Sequence, residues 1–158
     1  MAAASTPATL ALDAAGIRYS VHSYEHDPSN TNFGIEAAEA IRVDPDRVFK
    51  TLLADVDGRL VVGIVPVSGK LDLKALAAAV GGKRAVMADP AVAQRRTGYV
   101  VGGISPIGQK MRHDTVIDET AELWDTVFVS GGRRGLDLEL APADLARVTG
   151  ARLADIAR

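Results

Sequence analysis

Two glycine pairs limit what this chain can fold into more than any other feature. One lies in Val100–Val101–Gly102–Gly103–Ile104–Ser105–Pro106, the other in Ser130–Gly131–Gly132–Arg133–Arg134–Gly135–Leu136–Asp137. Each pair follows an apolar run that reads as a strand. Glycine lacks a Cβ, so its backbone can turn sharply or come close to a bound molecule. Two such turns, flanked by Ser105, Ser130 and Asp137, fit the walls of a small-ligand pocket with exposed backbone N–H donors. The alternative is a plain hairpin or bulge at each. Neither segment is a Walker loop or a GxGxxG turn ahead of a helix.

The remaining pattern surrounds these turns with mixed elements. Thr6 and Pro7 read as the start of a helix that Gly16 ends. Ile17 to Tyr24 alternates like a strand, Asn32 to Arg42 reads as a helix, and Asp44–Pro45 opens a short helical turn. Val48 to Val56 and Leu60 to Val67 read as strands joined at Asp57–Gly58, a two-residue hairpin signal. Leu60 to Val67 is almost wholly apolar and is therefore expected at the centre of a sheet. Asp72 and Asp89–Pro90 start helices that close at Gly81–Gly82 and Gly98. Lys83 to Met87, Tyr99 to Val101, Thr115 to Ile117 and Thr126 to Val129 read as strand-like. Leu136, Leu138 and Leu140 alternate with Asp137 and Glu139, which puts both acids on the face opposite the leucines. Pro142 and Asp144 begin a last helix that ends at Gly150. The order predicts one α+β domain over residues 1–158, with a mostly antiparallel sheet curved or closed into a barrel and helices outside.

Bulk properties narrow the function. The chain has 158 residues, no cysteine and a formal net charge of −2. Without cysteine there is no disulfide, no cysteine zinc site and no cysteine nucleophile. The start, Met1 to Pro7, lacks the basic region of a signal peptide, and no uncharged apolar run approaches a membrane span, so a cytoplasmic protein with no membrane partner is expected. A protein gripping a long nucleic-acid surface would usually be basic. The basic pairs Lys83–Arg84, Arg95–Arg96, Arg133–Arg134 and Lys110/Arg112 allow only local contacts.

Few side chains suggest chemistry. His22, Tyr24 and His26 fall on one face of an apparent strand, with Asp27 nearby. A metal site there lacks a third ligand, and a hydrogen-bonded strand end explains the spacing better. Lys50 sits inside the apolar run Val48–Leu53, where a buried, unpartnered charge is costly. It either faces outward or is aimed into a cavity to hold an anion or polarise a carbonyl. Thr51 should point to the opposite face. A serine–histidine–acid set could be drawn from Ser105 or Ser130, one of the histidines, and Asp137, but no nucleophile elbow supports it.

A resemblance gathers these residues together. His22–Pro28, Thr31–Gly34, Val48–Leu53, Leu71–Lys74, Met87–Pro90, Thr97–Tyr99, Gly102–Lys110 and Val129–Asp137 resemble, in order and along nearly the whole chain, the bacterial YbaK family. These are freestanding relatives of the editing domain inserted in prolyl-tRNA synthetase. The resemblance implies a cofactor-free, metal-free trans-editing hydrolase that acts on Cys-tRNA(Pro), and by extension Cys-tRNA(Cys), through the acceptor end. It also implies prolyl-tRNA synthetase as a partner that supplies selectivity. By motif match Lys50, Gly102, Gly103 and Asp137 take catalytic positions. Tyr24, Phe33, Thr51, Ile104, Ser105, Ser130 and Gly131 take substrate-binding positions. Within that frame Lys50 is expected to hold the terminal phosphate or ribose. The N–H groups around Gly102–Gly103 face the developing oxyanion, and Asp137 receives the α-amino group. With no enzyme nucleophile in view, the substrate thiol could attack its own ester to give a thiolactone; water is the competing nucleophile. Rival readings are an Ala-tRNA(Pro) deacylase and a non-enzymatic module that binds a nucleotide or aminoacyl group.

Overall fold

Local signals set most element boundaries. In the computed structural model, which describes residues 5–158, Thr6 and Thr9 cap helix α1 (Pro7–Ala14) reciprocally, each side-chain oxygen accepting from the other's backbone N–H. The Met1–Ala4 start, read above for targeting signals, lies outside the described residues. Asp72 and Asp89 likewise accept from N–H groups in the first turns of α3 (Leu73–Ala79) and α4 (Pro90–Thr97). Such caps satisfy donors that the helix itself cannot. Helix α2 spans Phe33–Ile41 and α5 spans Pro142–Thr149.

The strands form two sheets. Strand β1 (Ser20–Ser23) pairs with β7 (Leu136–Leu140), which pairs with β6 (Val127–Arg133), all antiparallel. The larger sheet runs β4–β2–β3–β5–β8, built from β2 (Phe49–Val56), β3 (Arg59–Pro66), β4 (Ala85–Met87), β5 (Asp114–Asp118) and β8 (Arg152–Ala154). Strand β2 is antiparallel to β3 and β4, while the β3–β5 and β5–β8 pairs are parallel. Asp57 and Gly58 both take positive φ, 51° and 91°, so the β2–β3 hairpin is the tight one its sequence signals. Strand β3 is central, and Val61, Val62, Ile64 and Val65 are fully buried, as its continuous apolar run requires.

The mixed, mostly antiparallel α+β architecture is the expected one, but the sheet does not close into a barrel. The two sheets remain separate, packing over a shared core and linked by one isolated parallel bridge between Val48 and Phe128. Two other expectations change. Tyr99–Val101 is not a strand: Gly98 caps α4 in the left-handed conformation and the chain passes straight into a turn. The second glycine pair lies within β6, where the β6–β7 register shifts between Ser130 and Arg133. It is a bulge, and the hairpin turn comes later, at Arg134–Gly135. Strand β8 and a 3₁₀ turn at Glu119–Leu123 carry no readable sequence period, because each is too short to show one. Among the described residues, no helix is long and apolar enough to cross a membrane.

Candidate active site

A cavity of about 360 Å³ opens where the two sheets meet. Val48 and strand β2, from Phe49 to Leu53, supply its floor as an unbroken run rather than alternate residues. Lys50 and Thr51, expected on opposite faces, therefore both line it. Ser130 of β6 and Asp137 of β7 come from the other sheet. The two are register partners, so the β6–β7 ladder places them side by side. Tyr24 follows the end of β1, and its N–H donates to the Gly135 carbonyl at 2.9 Å. Phe33 begins α2, and Gly102 and Ile104 come from the turn after α4.

The charged groups of the cavity are unpaired. Asp137 is only 5% exposed. No hydrogen bond or ion pair of its carboxylate exists among the described residues, and burial pushes its pKa up to about 7. Among the described residues, half-buried Lys50 has no carboxylate within ion-pair distance; burial first, then the neighbouring Lys70, lowers its pKa. Tyr24 is pushed up to about 12, chiefly by burial and next by Asp137. The Thr51 hydroxyl is buried without a partner among the described residues. A buried polar group normally finds a hydrogen bond, so this concentration of unsatisfied ones makes the cavity the candidate site.

Backbone donors are also free. The N–H groups of Gly102 and Ile104 make no hydrogen bond to another described residue. That of Gly103 does: it closes the turn by donating to the Val100 carbonyl at 2.8 Å. Of the N–H groups around Gly102–Gly103, those of Gly102 and Ile104 are thus open and that of Gly103 is engaged.

Three expected site residues stand behind the cavity wall. A Cβ at Gly103 would lie 2.7 Å from the Arg133 Cα, so this glycine permits backbone packing against β6. Gly131 packs against Leu136, and its carbonyl accepts from the Thr6 hydroxyl at 2.6 Å. Ser105 is fully buried, and its Oγ accepts from the Ile107 N–H at 3.2 Å. Other lining residues, among them Thr31, Asn32, Gly34, Met87, Ala88 and Pro90, had no assigned role. Their signal was present: they belong to the Thr31–Gly34 and Met87–Pro90 motifs of the resemblance.

The histidines do not enter the site. His22 meets Glu139 at 2.9 Å, and His26 meets Glu36 at 2.7 Å. The Nδ1 of His113 meets the Gln109 Oε1 at 2.9 Å. No serine hydroxyl is bonded to a histidine among the described residues. Nor, among them, does any group of three His, Asp or Glu stand where it could hold a metal ion.

Residues 31–148 match the model of the aminoacyl-tRNA editing domain. This chain belongs to that family. A protein of Enterococcus faecalis assigned as the Cys-tRNA(Pro)/Cys-tRNA(Cys) deacylase EbsC is 37% identical over 136 residues, covering 84% of this chain and 82% of its own. The proline–tRNA ligase of Moorella thermoacetica is 33% identical over 73 residues, which is 46% of this chain but 13% of the ligase. A solved structure described as a trans-editing enzyme for prolyl-tRNA synthetase superposes with a TM-score of 0.84 over 100% of this chain and 99% of its own, at 24% identity. A second, of a hypothetical protein, gives 0.86 over 97% of this chain and 100% of its own, at 25% identity. The fold is therefore that of the editing domains.

Proposed function

We propose that this protein hydrolyses cysteine mischarged onto tRNA(Pro), acting in trans on the acceptor end. The coarser statement, an aminoacyl-tRNA deacylase, follows from family membership. The observation that supports the finer one is a single cavity lined by unpaired Lys50, unpaired Asp137, and Gly102 and Ile104, whose N–H groups are free. An aminoacyl-tRNA terminus offers complementary parts. Its α-ammonium suits the Asp137 carboxylate, its phosphate or ribose suits Lys50, and its ester oxygen suits the Gly102 and Ile104 donors. Tyr24 and Phe33 form the apolar wall beside Thr51 and Ser130.

The ester is already activated, so positioning and charge stabilisation account for most of the catalysis. With no Ser–His pair formed, we assign attack to the substrate's own thiolate. Its sulfur bonds to the carbonyl carbon, the bond to the ribose oxygen breaks, and that oxygen takes a proton. The products are a thiolactone, which water then opens, and free tRNA. Few phosphate contacts on a chain of net charge −2 imply weak, salt-sensitive RNA affinity. Prolyl-tRNA synthetase, in the cytoplasm where charged tRNA is made, is the partner that would raise the effective concentration.

The test charges one tRNA(Pro) with cysteine, serine and alanine. Cysteine should leave fastest by a wide margin, and thiolactone should be trapped before free cysteine. Equal release of all three, or free cysteine as the first product, would sink the thiol mechanism. Binding without release of any of them would support the capture module instead.

A further inference from the structure

The Val100–Gly103 turn belongs to no strand, although it carries the free Gly102 N–H and leads to that of Ile104. Two side chains from other elements converge on Val101 instead. Gln94, on α4, accepts from the Val101 N–H through its Oε1 at 2.9 Å. Arg134, in the β6–β7 hairpin turn, donates to the Val101 carbonyl from Nε at 2.9 Å and from Nη2 at 2.6 Å. The Arg134 guanidinium also lies 4.8 Å above the Phe33 ring. Gly102, at φ +87°, fits against both: a Cβ there would sit 2.7 Å from the ring and 2.9 Å from the Arg134 Nε. Ring, guanidinium and turn thus form a stack with no spare room. Arg134 is exposed and has no carboxylate partner among the described residues, so the turn takes up its donors.

We propose that Arg134 and Gln94 are positioning residues for the deacylation, fixing the turn so that its free N–H groups stand at the ester oxygen. This rests on the deacylase reading above. The geometry asks for arginine in particular. Two of its donors share one carbonyl oxygen while its flat face covers Phe33, and a lysine ammonium cannot do both. The competing role for an exposed arginine at a cavity mouth is direct contact with an RNA phosphate.

The two roles separate kinetically. The variants are Arg134→Ala, Arg134→Lys and Gln94→Ala, assayed on Cys-tRNA(Pro) at several salt concentrations. Amide exchange of the turn is followed in parallel on the protein alone. Displacing catalytic groups by an ångström costs on the order of a hundredfold in rate. Arg134→Ala should therefore lose about that much in kcat while KM stays within about twofold. Arg134→Lys should not restore it, Gln94→Ala should lose less, and turn amides should exchange faster in all three. A raised KM with kcat kept, restored by Arg134→Lys, would make Arg134 a phosphate contact and overturn the proposal. So would unchanged exchange of the turn. If the unaltered protein releases no amino acid at all, the deacylase reading fails. The exchange data then still decide whether the two side chains hold the turn.

Discussion

Asp137 and Glu139 lie two residues apart on β7, on one face of the strand, and the fold treats them in opposite ways. Glu139 is fully partnered. It accepts from the Thr126 hydroxyl at 2.6 Å and from Arg47 at 3.3 Å, and it meets His22 at 2.9 Å. The Thr126 and His22 hydrogen bonds hold its pKa below the usual carboxylate range. Arg47 is itself enclosed, lying 5.0 Å from the Phe128 ring and 5.8 Å from that of Trp124. Asp137 has none of this, and burial alone raises it. The strand places both carboxylates, and the neighbours decide their use. The satisfied carboxylate ties β1 and β7 to Thr126, just ahead of β6; the unsatisfied one faces the cavity.

The comparison breaks first on activity. Lys50→Ala and Asp137→Asn should each lose about tenfold to a hundredfold in kcat/KM, since a charge-assisted contact contributes about 1.5–3 kcal/mol. Glu139→Gln should leave kcat/KM near the unaltered value. A deacylation assay on all three that ranks Glu139→Gln with the other two removes the distinction.

Stability should move the other way. Folded Asp137 titrates at about 7, above the reference of about 3.9 for an unfolded chain. The native state therefore keeps a proton that the unfolded state has lost. Stability falls as pH rises from about 4 through about 7, and the full penalty stands above that. Asp137→Asn lifts the penalty: it should stabilise by about 2–4 kcal/mol near pH 8, with the gain fading as pH falls through about 7 and gone by about pH 4. Denaturant melts at the two pH values check this, and a variant less stable near pH 8 contradicts it. Glu139→Gln weakens a bonded cluster and should cost about 1–3 kcal/mol.

Two smaller effects sharpen the contrast. Gly103→Val forces a side chain onto the Arg133 backbone. Its expected loss is one of melting temperature, whereas Gly102→Val should lose activity as its side chain meets Phe33 and Arg134. Thr51→Val removes a buried orphan hydroxyl. If no ligand is bound, it should be neutral or stabilising by up to about 1 kcal/mol. A clear loss of stability would show that the hydroxyl is paired after all.

The sequence made much of this legible, for reasons that can be located. Asp72, Asp89 and Asp57–Gly58 act on residues next to them, so caps and the hairpin could be read directly. Lys50 stood out because a charge interrupts an apolar run. The glycine pairs were found, but not their division of labour. Gly102 lines the cavity and Gly103 meets Arg133, thirty residues onward in the chain, and only packing tells them apart. Asp137 and Glu139 were equivalent for the same reason, since Thr126, His22 and Arg47 come from three other segments. Arg134 read as half of a basic surface pair. Nothing local shows that its donors end on Val101.

The last residues have a consequence for synthesis. Lys70 and Arg158 exchange both backbone hydrogen bonds, at 2.7 and 2.8 Å, and the buried Asp118 carboxylate accepts from the N–H groups of Ile156 and Ala157. Strand β8, just before them, completes the larger sheet beside β5. Contacts between such distant segments form late, because a long loop must close first. Lys70 in turn neighbours Lys50. During synthesis Lys70 and Asp118 leave the ribosome well before Ile156–Arg158, so this edge of the larger sheet stays unfastened, and the Asp118 carboxylate lacks these two donors, until the later segment follows.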